Sequence, residues 1–464
     1  MNGYSRIVLV SNRLPVTLHM QGHSMKLEQS GGGLATGLRS GRWREGSLWI
    51  GWPGESPPES MRPELERQLA ELGTQPIYLT RAEQKGFYED FSNAVIWPVF
   101  HDLIDQLPLL LEGWSAYQHV NEKFARAIAD AYQPGDLIWI HDYQLMLVPA
   151  MVKALVPRAR IGFFLHIPFP PHEVFRVIPE RRELIEGLAG ADLIGFHTQT
   201  FADNFLASAA TVLGLRTGPS SLKLGRRNVQ VGVFPMGVDA AAWEARSRTT
   251  RVAKQVLSLI QDAGRRKILV GIDRLDYTKG LLRRISAIER LLQEDRDLAE
   301  QVRFIQVVYP SRERIESYAG LRRQLNEIVG RLNANYGSAR SLPVHLINRS
   351  FSEDEVSALY SAADIMLVTP IRDGMNLVAK EFIASRQHDD GVLVLSEFAG
   401  AADELTEALL VNPYDTEGMA LTIRRAIEMP PEEQRERMTG LRAKVMANDV
   451  HRWSQNFLDA LSAG

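Results

Sequence analysis

The chain has 464 residues, a formal net charge of −3 and no cysteine. This length exceeds what one hydrophobic core usually serves, so two domains are expected. The small net charge argues against nucleic acid as a partner, and without cysteine neither disulfides nor thiolate metal sites can form. No apolar run is long enough for a signal peptide core or a membrane span, which predicts a cytoplasmic protein with no membrane partner.

The first half of the chain alternates apolar runs, predicted to be buried strands, with polar loops. Residues 7–10 are predicted to form the first strand, and residues 16–30 a polar loop. The glycine-rich run 31–38 follows, where a backbone without side chains can approach a phosphate or a sugar closely. A flexible linker has the same composition, so this run alone does not define a site. Further strands are predicted at residues 48–52, 77–79, 137–140, 161–165 and 193–196.

Polar side chains follow two of these strands at their carboxyl ends. Asp142 follows residues 137–140, and His166 follows residues 161–165. Open α/β sheets bind their ligands at this edge, so both residues are candidates for a site. The segment 87–98 adds aromatic side chains that suit a sugar ring. Each histidine could equally be a structural residue and each aromatic a core residue, and both alternatives stay open.

The alternation of strands and helices restarts at residues 268–272, which places the domain boundary near residue 240. The loop after this strand contains Arg274 and Lys279, and an amphipathic helix follows it. Two cations in a strand-to-helix loop can neutralise a bound diphosphate and stabilise the charge that develops as it leaves. A solvated loop also carries such charges, so the pair gains its weight from its position.

The stretch 372–381 follows residues 365–368, an apolar run that is predicted to be a buried strand. A helix is predicted from Met375, and its free first amides favour an anion such as a diphosphate. Asp373 in the loop and Glu381 in the helix could both reach a ligand lying across the helix start. An ordinary helix start, with Asp373 offsetting the helix dipole, is the alternative. Together the two halves predict an α/β protein that transfers a group from a diphosphate donor to a hydroxyl.

A series of motifs runs in order along the chain from Ile7 to its end. The motifs are Ser11-Asn12-Arg13-Leu14-Pro15, the glycine-rich run, residues 91–98, Trp139-Ile140-His141-Asp142-Tyr143, His166-Ile167-Pro168-Phe169-Pro170, residues 274–280 and residues 372–381. Jointly they resemble the trehalose-6-phosphate synthase family, glycosyltransferase family 20. The resemblance implies the GT-B fold, an α/β class with two Rossmann-like βαβ domains facing each other across a deep cleft.

The resemblance also implies the roles of the two domains. Residues 1–240, joined by a C-terminal helix at about 448–464, would form the acceptor-binding domain. Residues 241–447 would form the nucleotide-sugar-binding domain.

The reaction that the resemblance implies is a transfer of glucose with retention of the anomeric configuration. The donor is a nucleotide-diphosphate glucose, most commonly UDP-glucose, the acceptor is glucose 6-phosphate, and the products are α,α-trehalose 6-phosphate and a nucleoside diphosphate. The implied mechanism is same-face and internal-return-like, and it uses no metal. It also uses no cofactor, because the nucleotide sugar is a substrate. The implied role is trehalose biosynthesis, with a separate trehalose-6-phosphate phosphatase acting on the product. A homo-oligomer stays open.

Two other functions also stay open. One is a related GT-B transferase with another phosphorylated acceptor such as glycerol 3-phosphate, and the other is a non-catalytic sugar-phosphate sensor. The presence of Arg274, Lys279 and Glu381 argues against the sensor. The sequence leaves the donor nucleotide, UDP, GDP or ADP, undetermined, because it shows no side chain that would read the base.

Matching positions carry the family's site residues onto this sequence. The resemblance implies an acceptor site made by Arg13, Tyr88, Trp97, Asp142 and Arg312. It implies a donor site made by Gly32, Gly33, Arg274, Lys279, Phe351, Asp373, Met375, Asn376, Leu377, Val378 and Glu381. The residues expected to act in catalysis are Asp142, His166, Arg274 and Lys279. Within the donor site, Glu381 would hold the ribose and Asp373 the hydroxyl groups of the glucose.

Overall fold

The computed structural model describes residues 4, 6–21, 24–29, 46–310, 316–339 and 341–463. The chain divides into two compact units, which are Met1–Pro235 together with Val450–Gly464, and Met236–Asp449. Each unit is an α/β domain with its own sheet. The acceptor-binding and donor-binding roles of the two units stay predictions.

The strands of the first unit are β1 (Ile7–Arg13), β2 (Val16–Gln21), β3 (Ser24–Gln29), β4 (Leu48–Trp52), β5 (Thr74–Pro76), β6 (Leu137–His141), β7 (Arg160–Phe164), β8 (Leu193–Phe196), β9 (Thr217–Gly218), β10 (Ser221–Leu224) and β11 (Arg227–Val233). Among the described residues they form a nine-stranded sheet in the order β5-β4-β1-β6-β7-β8-β11-β10-β9. The sheet is parallel from β5 to β11, and β10 and β9 extend it in antiparallel pairing. A separate antiparallel hairpin pairs β2 with β3.

The helices of the first unit begin with α1 (Arg62–Glu71), α2 (Arg81–Glu83), a π-helix (Gln84–Ile96), α3 (Trp97–Phe100), α4 (Trp114–Ala131), α5 (Val148–Leu155), α6 (His172–Phe175), α7 (Arg181–Leu188) and α8 (Gln199–Leu213). The π-helix has wider turns than an α-helix, because its hydrogen bonds join residues five apart. This explains why the segment 87–98 shows no 3.6-residue period in the sequence.

Two predicted segments of the first unit differ in the structure. The loop expected at residues 16–30 contains the β2–β3 hairpin, in which Leu18 is buried among polar or half-exposed neighbours. One buried position gives too weak an alternation to indicate a strand. The strand expected at residues 77–79 lies instead at Thr74–Pro76. The apolar run indicates burial, which a loop packed on the core also provides, since Ile77 and Leu79 are buried.

The strands of the second unit are β12 (Lys267–Arg274), β13 (Val302–Tyr309), β14 (Val344–Ile347), β15 (Ile365–Val368), β16 (Val392–Ser396) and β17 (Leu409–Val411). They form a parallel sheet in the order β14-β13-β12-β15-β16-β17. This is the strand order of the Rossmann fold. The helices are α9 (Ala240–Ser247), α10 (Thr250–Ala263), α11 (Leu281–Glu294), α12 (Leu298–Gln301), α13 (Glu316–Tyr336), α14 (Glu353–Ala362), α15 (Leu377–Ser385), α16 (Thr416–Glu428) and α17 (Pro431–Ala447).

Each strand of the second sheet presents side chains to two apolar layers. In β12, Leu269 packs into the cluster on one face and Val270 into the cluster on the other. Successive side chains of a strand point to opposite faces, so both must be apolar when both faces are covered. The predicted strands at residues 268–272 and 365–368 are continuous apolar runs for this reason.

The last helix, α18 (Val450–Ala463), packs on the sheet of the first unit. The rings of Trp453 and Phe457 lie 5.1 and 4.7 Å from the ring of Trp139 in β6. Gly162 in β7 leaves room for this contact, because a Cβ at that position would collide with Phe457. Burial of a ring of this size stabilises the packing by about 1.5 to 3 kcal/mol.

The order of the parallel strands reverses at one point in each sheet. In the first unit β1 and β6 lie side by side at this switch point, and in the second unit β12 and β15 do. Connections leave a switch point toward opposite sides of the sheet, which opens a crevice at the carboxyl ends of the two strands. Arg13 ends β1 and Asp142 follows β6, while Arg274 ends β12 and Thr369 follows β15. The fold therefore places predicted site residues at both switch points.

Candidate active site

Three polar side chains meet at the switch point of the second unit. The Nζ of Lys279 lies 2.5 Å from Oδ2 of Asp373, and Nδ2 of Asn376 donates a hydrogen bond to the same oxygen at 3.0 Å. Lys279 is 8 % exposed, and charge-assisted hydrogen bonds strengthen in such a desolvated place. Lys279 comes from the loop after β12 and Asp373 from the loop after β15, so the pairing of these two strands brings them together.

Helix α15 begins at Leu377, so the predicted start at Met375 is wrong. Asn376 occupies the N-cap with a φ of 73°, a left-handed conformation that asparagine tolerates better than most residues but that cannot continue a helix. Met375 is buried, and its carbonyl accepts a hydrogen bond from the amide of Ala401. The first amides of the helix that lack intrahelical partners are therefore those of Leu377 and Val378.

A buried arginine holds the loops of this switch point. Arg284, on α11, is fully buried, and its Nη1 lies 2.5 Å from Oδ2 of Asp273. Its Nε donates to the hydroxyl of Thr369 at 2.9 Å, and Nη1 also donates to Oε1 of Gln306 at 2.8 Å. Its Nη2 donates a longer bond, 3.4 Å, to the carbonyl of Lys279. A buried charge is tolerated when its hydrogen-bonding groups are satisfied, so this network fixes the strand ends against the Lys279 loop.

Glu381, on α15, has a carboxyl group with a raised pKa. Burial raises its pKa to about 7, and a hydrogen bond from the Tyr360 hydroxyl to Oε2, at 2.8 Å, opposes the shift. Burial and the adjacent carboxylate also raise the pKa of Tyr360. Glu381 is therefore near the midpoint of its titration at neutral pH, and a ligand that donates hydrogen bonds to it favours the ionised form.

Arg274 and Phe351 lie at the same carboxyl edge of the sheet. Arg274 is solvent-exposed at the end of β12, where it pairs in register with Tyr309 of β13. Phe351 lies in the loop after β14, under the guanidinium carbon of Arg349 at 3.9 Å from its ring centroid. Burial raises the pKa of Tyr309, and the neighbouring Glu381 adds to this shift. The donor residues predicted in this unit thus border one edge of one sheet.

In the first unit, the carboxyl ends of β6 and β7 bring Asp142 and His166 together. The backbone amide of His166 donates to Oδ1 of Asp142 at 3.2 Å, and Asp142 has a φ of 77°. Such a conformation is strained for a non-glycine residue and is common at functional sites. Nε2 of His166 lies 3.1 Å from Nδ1 of His141. Burial, and next a neighbouring histidine, lowers the pKa of both residues, so His166 is neutral and brings no charge to a ligand.

Trp52 links Arg13 with Tyr88. The guanidinium carbon of Arg13 lies 4.6 Å from the ring centroid of Trp52, and the rings of Trp52 and Tyr88 meet edge to face at 6.5 Å. Trp52 is 3 % exposed, and its Nε1 has no hydrogen-bond partner within the described part of the chain. A buried indole N–H normally finds a partner, and none of the described residues supplies one here.

Asn93 and Tyr143 link Tyr88 with Trp97. The side chain of Asn93 donates to the carbonyl of Tyr88 at 2.8 Å and accepts from the hydroxyl of Tyr143 at 2.8 Å. The rings of Tyr143 and Trp97 lie 5.5 Å apart, and Asp142 directly precedes Tyr143. The acceptor residues predicted at described positions therefore belong to one connected neighbourhood, in which Trp97 is buried.

These networks include five residues that were not predicted from the sequence, namely Trp52, Asn93, His141, Arg284 and Tyr360. Asn93 and His141 stand inside motifs quoted above, so their positions carried a signal. Arg284 and Tyr360 carried none, because each lies on an ordinary amphipathic helix. The predicted site residues Gly32, Gly33 and Arg312 lie outside the described residues.

The described residues contain no group of three or more His, Asp or Glu side chains arranged to hold a metal ion. Their helices include none with the length and apolar character that crossing a membrane requires.

Comparison with known proteins extends these observations. The sequence model of glycosyltransferase family 20 matches residues 5–463. A trehalose-6-phosphate synthase of Mycolicibacterium smegmatis is 44% identical over 475 residues, covering 100% of this chain and 93% of that protein. The crystal structure of an α,α-trehalose-phosphate synthase (UDP-forming) from Burkholderia xenovorans, in complex with glucose-6-phosphate, is 33% identical with a TM-score of 0.89, covering 98% of this chain and 100% of that one. A structure from E. coli bound with UDP-2-fluoro glucose is 32% identical with a TM-score of 0.88, covering 99% of each chain.

Two Rossmann-like sheets, together with this likeness, define a glycosyltransferase of the GT-B class, so the predicted fold and enzyme class are confirmed. The chain belongs to glycosyltransferase family 20. The resemblance to the trehalose-6-phosphate synthase family is likewise confirmed.

Proposed function

We propose that this chain is an α,α-trehalose-phosphate synthase that transfers glucose, with retention, from UDP-glucose to glucose 6-phosphate. The observation that carries the proposal is the cluster of Lys279, Asp373 and Asn376 at the switch point of the second unit, directly before the free amides of α15. A cation and a helix start suit a diphosphate. The relatives that bind glucose-6-phosphate and UDP-2-fluoro glucose support the choice of substrates.

The donor site in this proposal lies at the carboxyl edge of the second sheet. Arg274, Lys279 and the amides of Leu377 and Val378 bind the diphosphate. Asp373 exchanges its bond with Lys279 for bonds to the glucose hydroxyls. Glu381 accepts hydrogen bonds from the ribose. Phe351, Met375 and Asn376 complete the donor site, and the roles of Gly32 and Gly33, which lie outside the described residues, stay predictions.

The acceptor site in this proposal belongs to the first unit. Arg13 and Tyr88 bind the phosphate of glucose 6-phosphate, because a guanidinium and a phenol hydroxyl both donate to phosphate oxygens. Asp142 and Trp97 hold the sugar. The role of Arg312 as a second cation for the phosphate stays a prediction, because this residue lies outside the described residues.

The chemistry is a same-face substitution at the anomeric carbon. The bond between this carbon and the diphosphate oxygen breaks, and a bond to the acceptor hydroxyl oxygen forms on the face that the diphosphate leaves. The acceptor's proton passes to the leaving phosphate oxygen. Arg274 and Lys279 stabilise the charge that accumulates on the diphosphate, and no metal or cofactor enters the proposed reaction. His166, being neutral, positions the transferred glucose by hydrogen bonding.

Product analysis tests the proposal directly. The chain is incubated with glucose 6-phosphate together with one donor at a time: UDP-glucose, GDP-glucose or ADP-glucose. The release of nucleoside diphosphate is followed in each reaction. We expect a phosphorylated α,α-linked disaccharide, with UDP-glucose the best donor. Release of nucleotide only with another acceptor, such as glycerol 3-phosphate, would replace the acceptor assignment. No release with any acceptor would favour a sugar-phosphate sensor.

The proposed product fixes the place of the reaction in trehalose biosynthesis. Trehalose 6-phosphate becomes trehalose only after its phosphate ester is hydrolysed. We therefore expect a separate phosphatase to consume the product in the same compartment, which we propose to be the cytoplasm.

A further inference from the structure

A cavity of about 710 Å³ lies at the β14 edge of the second sheet. Apolar side chains form most of its walls, among them Leu259 of α10, Ile305 of β13 and Val329 of α13. Cavities of this size hold small organic ligands. Two strands, β13 and β12, separate β14 from the switch point where the predicted donor residues lie. Most of the cavity therefore lies away from the proposed donor site, which it meets at Phe351.

Three polar side chains line this cavity with buried atoms that lack partners. Among the described residues, Nε of Arg303, Nε2 of His345 and Oε1 of Gln255 have no hydrogen-bond partner. Arg303 and His345 lie near the amino ends of β13 and β14, opposite the carboxyl edge that binds the donor. Buried polar atoms in folded proteins are nearly always hydrogen-bonded. These three atoms have almost no accessible surface, so a ligand in the cavity reaches the rest of the Arg303 guanidinium and of the other two polar side chains.

The charges beside the cavity favour an anion. Burial lowers the pKa of Arg303, and the neighbouring guanidinium of Arg266 lowers it further, while Asp262 opposes the shift. Burial also lowers the pKa of His345, and the guanidinium groups of Arg303 and Arg266 lower it further. A partly buried guanidinium beside a second one is stabilised when an anion binds between its hydrogen-bonding groups.

We propose that this cavity binds a small organic carboxylate with an apolar or aromatic body. The carboxylate pairs with the guanidinium of Arg303, and the body packs against the apolar walls between α10 and α13. Gln255 can donate its amide to the second carboxylate oxygen, whereas the neutral ring of His345, which bonds to the backbone of Leu342, can only accept from a polar substituent of the ligand.

The rim of the cavity connects it with the donor edge of the sheet. Arg349, Phe351 and Glu355 line this rim. Nη2 of Arg349 lies 2.7 Å from Oε1 of Glu355, and its guanidinium covers the ring of Phe351. A ligand that packs against this group restrains the loop of Phe351, a predicted donor contact. Occupancy therefore increases donor affinity, a consequence that rests on the proposed function.

Gly330, on α13, offers a way to fill the cavity. It lines the cavity, and a Cβ added to it would meet no atom within 4 Å. Gly330→Leu therefore places a side chain in the cavity, at a helix position where leucine is preferred to glycine. Gly330→Ala is the matched control, because it improves the helix and leaves most of the cavity open. Arg303→Gln removes the charge from the ligand site.

The binding test uses benzoate as the probe and benzamide as its neutral analogue, with ligand-observed NMR on the full chain. We expect benzoate to bind the wild type and Gly330→Ala, to bind Arg303→Gln about tenfold more weakly, and not to bind Gly330→Leu. Equal binding of benzamide would overturn the assignment of an anion. Benzoate binding that survives Gly330→Leu, or none to the wild type at millimolar concentration, would overturn the site. Thermal unfolding checks that both Gly330 variants are folded.

A second measurement tests the coupling to the donor. We expect saturating benzoate to lower the KM for UDP-glucose by about fivefold in the wild type and Gly330→Ala, with no effect in Gly330→Leu. An unchanged or increased KM while benzoate is bound would overturn the coupling. If the chain transfers no glucose, the NMR measurement still decides whether the site exists. Failure of the proposed function is thus distinguishable from failure of this inference.

Discussion

The raised pKa of Glu381 predicts how donor binding depends on pH. In the ionised form, both carboxylate oxygens accept hydrogen bonds from ribose hydroxyls, whereas the neutral form has one oxygen occupied by its own proton. Burial raises the pKa of Glu381 to about 7, so the group ionises as the pH rises through neutrality. The affinity for UDP should therefore increase with pH over this range.

The size of the effect follows from the change in hydrogen-bond strength. A hydrogen bond to a charged group contributes about 1.5 to 3 kcal/mol, and one between neutral groups about 0.5 to 1.5 kcal/mol. The difference, about 1 to 1.5 kcal/mol, corresponds to about a tenfold decrease in Kd on ionisation. Tyr360→Phe removes the hydroxyl that bonds Oε2 of Glu381 at 2.8 Å and lowers its pKa. The midpoint in that variant should move upward by about one pH unit.

Calorimetric titration of UDP against pH measures this effect. Glu381→Gln is the matched control. The affinity of this variant for UDP depends on the titration of the UDP phosphate and of all other groups, but not on that of Glu381. The ratio of the variant's Kd to the wild-type Kd should rise about tenfold between the acidic and alkaline limits, with a midpoint near neutral pH. A ratio that stays constant would refute the assignment of Glu381 to the ribose.

Three further predictions concern the same switch point. Arg274→Ala should lower kcat more than it raises the KM for glucose 6-phosphate, and steady-state kinetics with an unchanged kcat would rule out its role at the leaving diphosphate. Gly280→Ala should lower the free energy of unfolding by about 2 to 3 kcal/mol, since Gly280 has a φ of 67° and a Cβ would strike the carbonyl of Thr369. Gly214→Ala, with a φ of 66° in the same left-handed region and open space around it, should cost only about 1 kcal/mol, and equal losses on denaturation would argue against the clash. Arg284→Met should cost about 3 to 5 kcal/mol, because it leaves Asp273 buried and unpaired. Adding Asp273→Asn should restore much of that loss, and a denaturation midpoint unchanged in Arg284→Met would contradict the network.

The sequence determines the strands of both sheets where an apolar run is long and bounded by turns. The predicted strands at residues 268–272 and 365–368 lie within or coincide with β12 and β15, because strands covered on both faces must be apolar at every position. The polar residues that end these strands, such as Arg274, are equally visible. Weaker patterns mislead, as at residues 77–79, where an apolar run lies in a buried loop.

Local conformation at the site was only partly predictable. The stretch from Met375 has helix-favouring residues, yet Asn376 adopts a left-handed conformation and delays the helix to Leu377. That conformation depends on how the loop after β15 packs against its neighbours, for instance through the bond from Ala401 to Met375. Propensity averages over such contexts and cannot report one of them.

The tertiary structure alone decides which side chains meet. Lys279 and Asp373 are 94 positions apart, and they pair because β12 and β15 are neighbours at the point where the strand order reverses. The bond between Tyr360 and Glu381, which belong to successive helices, is likewise absent from any local pattern. A local pattern reports burial and turns, because these depend on neighbouring residues. Contacts across a sheet depend on the strand order, which the chain settles only when distant segments pack together.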